Sequence, residues 1–144
     1  MQPATDPSAA PALDEAAPGA ATRKRPRPGE RRVQILQVLA QMLEQPGAER
    51  VTTAALAARL EVSEAALYRH FASKAQMFEG LIDFIESTVF GLINQINERE
   101  ADGRARAARI VAMVLQFGEK NPGMTRVMVG DALVFEHERL QQRM

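Results

Sequence analysis

Apolar residues recur along this chain at intervals of three and four, and no stretch alternates with the period of two that a half-buried strand requires. The pattern predicts an all-α protein. A first helix is expected from Glu30 to Glu44, with Ile35, Leu36, Leu39, Met42 and Leu43 on one face and Gln45-Pro46-Gly47 as its stop. Two short helices follow, Thr53 to Leu60 and Ser63 to Phe71, separated by a tight turn. Thr52 or Thr53, Ser63 and Ser73 each precede a helical pattern, where a side-chain oxygen can accept from an otherwise unpaired backbone N–H. Leu56, Ala57, Leu60, Val62, Ala66, Leu67 and Phe71 supply the seam along which the short pair would pack.

A long helix is expected from Lys74 to about Glu98, striped by Phe78, Leu81, Ile82, Ile85, Val89, Leu92, Ile93 and Ile96. At the usual rise it would run roughly 37 Å, enough to join two helical layers. Asp102-Gly103 interrupts it, and Arg104 to Lys120 resumes with a main stripe of Ala107, Ala108, Val111, Val114, Leu115 and Gly118. Asn121-Pro122-Gly123 ends that helix, and Met124 to Met144 is expected to hold one short helix to about Phe135 and the start of another at Glu136. There is no internal repeat.

The short pair has the pattern of a helix-turn-helix. Its second helix turns Ser63, Glu64, Ala65, Tyr68, Arg69 and His70 outward, small residues at the N-terminus and polar or cationic ones beyond, as a helix lying in a DNA major groove requires. Ser63, Glu64, Ala65 and Ala66 would face the bases, with few side chains long enough for bidentate reading. Thr52, Thr53 and Arg69 would add contacts to the DNA backbone. Lys74 opens a helix, where the macrodipole disfavours a cation, and a phosphate approaching that end would resolve the conflict. The plainer alternative is that Tyr68, His70 and Lys74 are exposed helix-end residues with no ligand.

Charge changes the picture at one place. The net charge is zero, yet six of the 18 basic residues, Arg23, Lys24, Arg25, Arg27, Arg31 and Arg32, lie in one run just before the first helix. Such an arm can follow phosphates or a groove; otherwise it is a solvated tail. The preceding stretch is rich in Ala, Pro and small polar residues without periodicity, a composition that predicts disorder. Cysteine is absent, which excludes disulfides and thiolate chemistry. No apolar run nears the roughly 20 residues that span a bilayer, and no membrane partner is expected. His137 has no second His or Cys at ligand spacing, and no nucleophile–base pattern, phosphate loop or dinucleotide fingerprint is present. Neither a metal, nor a cofactor, nor enzymatic activity is therefore expected.

The run LYRHFASK, with Tyr68, His70 and Lys74 in that spacing, resembles the signature of TetR-family DNA-binding domains. The resemblance implies that these three residues meet phosphates. Residues 62–86 (VSEAALYRHFASKAQMFEGLIDFIE) and 117–141 (FGEKNPGMTRVMVGDALVFEHERLQ) are similar to the nucleoid occlusion branch of that family, over roughly residues 31–144. That branch implies binding to double-stranded DNA at a pseudo-palindromic site as a homodimer, and inhibition of the division protein FtsZ. It also implies a groove between the fourth and fifth helices that takes the FtsZ C-terminal tail, with Phe84, Met113, Lys120 and Asn121 as contacts. Phe84 and Met113 lie off their helices' apolar stripes; a second packing edge is the other explanation. Four positions depart from the pattern: Glu61 where the turn usually has Gly, Ala72 for Pro, Leu92 for Arg and Gln116 for Gly. A left-handed Glu61 would carry strain of about 1 kcal/mol, and loss of the arginine would weaken an acidic peptide.

The expected organisation is an Ala/Pro-rich tail ending in a basic arm (1–29), a three-helix DNA-binding unit (30–76) and a partial TetR-like helical domain (77–144). Two further helices normally follow in the family, so the chain looks truncated and is expected to be largely monomeric or aggregation-prone, with Leu133 and Val134 uncovered. The function expected is that of a cytoplasmic, nucleoid-associated division inhibitor; the alternative is a ligand-responsive transcriptional repressor.

Overall fold

The computed structural model describes residues 25–27, 29–45 and 50–144. The expectations for the first 24 residues, including Arg23 and Lys24, and for Pro46-Gly47 lie outside them. Among the described residues there are seven α-helices and no strand: α1 (Glu30–Leu43), α2 (Thr53–Arg59), α3 (Glu64–Tyr68), α4 (Lys74–Arg99), α5 (Gly103–Lys120), α6 (Pro122–Met128) and α7 (Glu138–Arg143).

Four helix starts are set by the side-chain chemistry of the preceding residue. Thr52, Ser63, Ser73 and Asp102 all sit in extended backbone and accept from the N–H three residues on, so α2 to α5 each begin with one donor satisfied. The α2–α3 turn passes through Glu61 at φ 56°, the only non-glycine left-handed residue among those described. Val62 N–H then donates to Ala57 O at 3.0 Å and closes the turn. The second short helix is briefer than expected. After Tyr68 the chain tightens, His70 N–H donates to Leu67 O at 3.0 Å, and Phe71 drops into the core as part of the link to α4.

One continuous core runs through the molecule. Ile35, Leu39 and Leu43 of α1 meet Leu56 and Leu67 of the helix-turn-helix, and Met77, Phe78, Leu81, Ile82 and Ile85 of α4 extend the cluster to Met124, Val127, Leu133 and Leu140. Besides α4, α6 ties the two layers together by lying across α1. Its Gly123 comes so close that an added Cβ would stand 2.0 Å from Ala40 O. Arg126 Nη1 donates to Leu43 O at 2.9 Å, satisfying a carbonyl at the end of α1.

The C-terminal half departs from the pattern-based reading. On α5 only Phe117 is buried, while Ile110, Met113 and Val114 are half-buried. Ala107, Ala108, Val111 and Leu115, expected to be the packed stripe, face outward, with Val111 60% and Leu115 68% exposed. The two apolar stripes of α5 are nearly equal, and α4 covers the one containing Phe117. Beyond α5, Pro122 is the first residue of α6 rather than only a stop, because its fixed φ suits that position. Gly130, at φ 82°, then splits the expected single helix into α6 and a 3-10 turn, Asp131–Leu133. Leu133 is fully buried, contrary to expectation, and Val134 is 58% exposed. A row of ion pairs holds α7 along α4: Arg139 to Glu79 at 2.9 Å, and Arg143 to Asp83 and Glu86. The hydrogen bond from Arg143 to Glu86 raises the guanidinium's pKa further.

Candidate nucleic-acid interface

On α3 Leu67 points into the core, so the opposite face is left to solvent. Ser63, Glu64, Ala65, Tyr68 and Arg69 are exposed, and Ala66 and His70 are half-buried at the edge towards α1. Nothing bulky stands at the N-terminal end of that face, which would let the helix backbone approach base edges closely. Glu64 Oε2 accepts from Thr53 Oγ1 at 3.1 Å, so the starts of α2 and α3 are braced against each other. Thr52 Oγ1 accepts from Ala55 N–H at 3.1 Å and Ser63 Oγ from Ala66 N–H at 3.2 Å. Capping uses an oxygen lone pair, which leaves each hydroxyl proton available to a phosphate.

Beside α3 lies an arginine-lined cleft of about 630 Å³. Arg25, Arg27 and Arg31 border it from the N-terminal side, Arg69 and His70 from the end of α3, with Ile35, Val62 and Leu67 as its floor. Glu30 is the nearby carboxylate, and it accepts from the backbone N–H of Arg27 at 2.9 Å. Part of the basic run is thus gathered against α3. Arg32 is not: its guanidinium stacks over the Phe71 ring at 4.2 Å and donates to His70 O, pinning the α3–α4 link to α1. In the sequence Arg32 is indistinguishable from its neighbours; only the three-dimensional position of Phe71 gives it away.

Lys74 also differs from expectation in the company it keeps. It lines one crevice with Thr52 and Thr53, so three expected phosphate contacts are brought together at the start of α2. Its ammonium, however, is held by Glu136 Oε1 at 2.7 Å, and the Glu136 side chain is only 7% exposed. A partner 62 residues away carries no local sequence signal.

The four residues expected to take a peptide are only partly assembled. Lys120 is exposed and Asn121 half-buried at the α5–α6 junction, where Asn121 Nδ2 donates to Phe117 O at 2.9 Å. Met113 lies two turns earlier on α5 and is half-buried against the core. Phe84, 36% exposed, lines a crevice with Val33, Leu36 and Gln37 of α1 and Met124 of α6. It therefore faces α1 and α6 rather than α5.

Two family models match the chain: "Bacterial regulatory proteins, tetR family" over residues 35–81, and "Tetracyclin repressor-like, C-terminal domain" over residues 101–144. The chain is 56% identical over 119 residues to the nucleoid occlusion factor SlmA of Aliivibrio fischeri, covering 82% of this chain and 61% of that protein. It is 58% identical over 114 residues to the SlmA of Idiomarina loihiensis, covering 79% and 58%. To that of a Marinomonas species it is 59% identical over 114 residues, again 79% and 58%. The chain therefore spans about three fifths of the length of these curated relatives. No helix among the described residues is long and apolar enough to cross a membrane.

Proposed function

The chain belongs to the TetR family of bacterial regulatory proteins, and from that premise we propose that it binds double-stranded DNA through α2 and α3 and acts as a nucleoid occlusion factor, restraining FtsZ assembly over the chromosome. The observation that carries the DNA half is the exposed face of α3, small at Ser63 and Ala65 and polar at Tyr68 and Arg69. It is flanked by the Thr52 cap on one side and the arginine cleft on the other. In this reading α3 enters the major groove while Thr52, Thr53, Tyr68, Arg69, His70 and Lys74 meet phosphates, which fix register without reading sequence. Ser63, Glu64, Ala65 and Ala66 face the base edges. Two protomers on a pseudo-palindrome would place their α3 helices about 34–36 Å apart, one helical turn, or at a multiple of it. The protein would act in the cytoplasm, at the nucleoid.

The FtsZ half rests on the similarity to nucleoid occlusion factors and on the exposed polar end of α5. Lys120 would pair with an acidic group of the FtsZ tail, Asn121 would supply hydrogen bonds, and Phe84 and Met113 would hold its apolar side chains. With Leu92 in place of a cation the affinity should be low, tens of micromolar or weaker, about −6 kcal/mol. One titration series tests both halves: labelled duplex and labelled FtsZ tail peptide against wild type, Arg69→Ala and Phe84→Ala. Arg69→Ala should weaken binding to every duplex and reduce the log–log salt slope by about 0.9, the contribution of one phosphate. Phe84→Ala should remove peptide binding and leave duplex affinity alone. If Phe84→Ala harms both equally, Phe84 is a packing residue and the peptide site is elsewhere.

A further inference from the structure

Glu136 stands where DNA would want a cation free. Lys74 faces the start of α2 beside Thr52 and Thr53, yet its ammonium makes a 2.7 Å ion pair with Glu136 and lies 5.9 Å from the centroid of the Phe78 ring, one turn further along α4. The ammonium is thus already matched by a carboxylate at the helix start, where a phosphate would be attracted. That carboxylate is almost buried and belongs to the stretch between the 3-10 turn and α7. A phosphate arriving at Thr52 and Lys74 therefore meets an anion already in possession of the lysine.

We propose that Glu136 competes with the DNA backbone for Lys74, so that duplex binding and the seating of the stretch around Glu136 oppose each other. The proposal rests on the DNA-binding reading above and adds to it a coupling between the two halves. When a phosphate takes the ammonium, Glu136 keeps a nearly buried negative charge without its cation and close to the phosphate. Both effects disfavour its present position. Between the buried anchors Leu133 and Leu140 the stretch can move, because Val134 and Phe135 on its outer side are 58% and 62% exposed and add little packing. Its neighbours on α7 stay tied to Glu79, Asp83 and Glu86. By linkage, the factor by which bound duplex favours the loosened stretch is the factor by which the loosened stretch favours duplex. The surface altered by that movement, around Val134 and Phe135, is apolar and is where the DNA-bound and DNA-free forms would differ for a protein partner.

The test is duplex titration at fixed salt with wild type, Glu136→Gln, Glu138→Gln, Lys74→Gln and the double variant Lys74→Gln/Glu136→Gln, each checked for an intact melting transition. Glu136→Gln should bind duplex about fivefold more tightly or better, at the low end of ordinary coupling factors. Glu138→Gln removes the same charge from the same segment at an exposed position, and its gain should be small. In the Lys74→Gln background the Glu136 change should gain nothing, and hydrogen exchange of residues 131–137 in wild type should speed up when duplex is added. Glu136→Gln binding as wild type or more weakly overturns the proposal, since Glu136 would then position Lys74 for DNA. Equal gains from Glu136→Gln and Glu138→Gln overturn it too, leaving only a net-charge effect. Wild type with no saturable duplex binding sinks the DNA-binding reading itself, a different result from either.

Discussion

The helix-turn-helix head and α5 are built from similarly patterned helices and have opposite fates. In the head, Ile35, Leu39, Leu43, Leu56, Leu67 and Phe71 are all within 2% of complete burial. On α5, eighteen residues long, Phe117 alone is buried, and Val111 and Leu115 remain more than half exposed, as does Phe90 on the neighbouring part of α4. An apolar stripe states that a helix has a face to cover; it does not state what covers it. In the head three short helices and the start of α4 close around one point, so every stripe finds a partner within the chain. On α5 there are two candidate stripes and one neighbouring surface, and the stripe with the aromatic residue takes it.

The sharpest way to break this contrast is at the junction with α6. Gly123→Ala would drive a methyl group to 2.0 Å from Ala40 O, a backbone atom that cannot swing aside. The expected loss of unfolding free energy is about 3 kcal/mol or more, at the upper end of overpacking costs. Gly91, in the exposed half of α4, has open space around its missing Cβ. Gly91→Ala should instead stabilise by about 1 kcal/mol, through helix propensity alone. Urea denaturation of the two variants should move the midpoint in opposite directions. If both lose stability, α4 is covered near Gly91 in solution.

A smaller difference separates two leucines. Leu67→Ala empties a fully buried site and should cost about 3 kcal/mol. Leu115→Ala, at a position 68% exposed, should change stability by no more than about 0.5 kcal/mol. A Leu115→Ala loss near that of Leu67→Ala, growing with protein concentration, would show that the exposed face of α5 is an interface between copies of the chain.

The same contrast governs what could be read from sequence. Caps at Thr52, Ser63 and Ser73, the end of α5, and the outward face of α3 all follow from residues within four positions of one another, and the structure places them as expected. What the pattern does not show needs contacts from afar. The stacking of Arg32 depends on Phe71, the capture of Lys74 on Glu136, and the burial of Leu133 on the shared core that it joins. The choice of stripe on α5 depended on which neighbour was present. Phe84 lies away from the main stripe of α4, as its spacing predicts, but its neighbours on α1 and α6 leave no signal in the pattern.

The smallest expected effect belongs to Glu61, inside the well-packed head. Its φ of 56° is the left-handed conformation that a side chain disfavours by roughly 1–2 kcal/mol, and glycine adopts it without that cost. The turn is held by Glu61 N–H to Ala58 O and Val62 N–H to Ala57 O, at 3.1 and 3.0 Å, so its shape is imposed by the backbone and would persist in a glycine variant. Against the relief stand glycine's greater freedom in the unfolded chain and the interaction that the Glu61 side chain makes. The balance for Glu61→Gly should be a gain of about 0.5–1 kcal/mol, read as a higher melting temperature with an unchanged urea m-value. A loss of stability would mean that the Glu61 side-chain interaction outweighs the backbone strain, and that packing alone does not describe how the head is held.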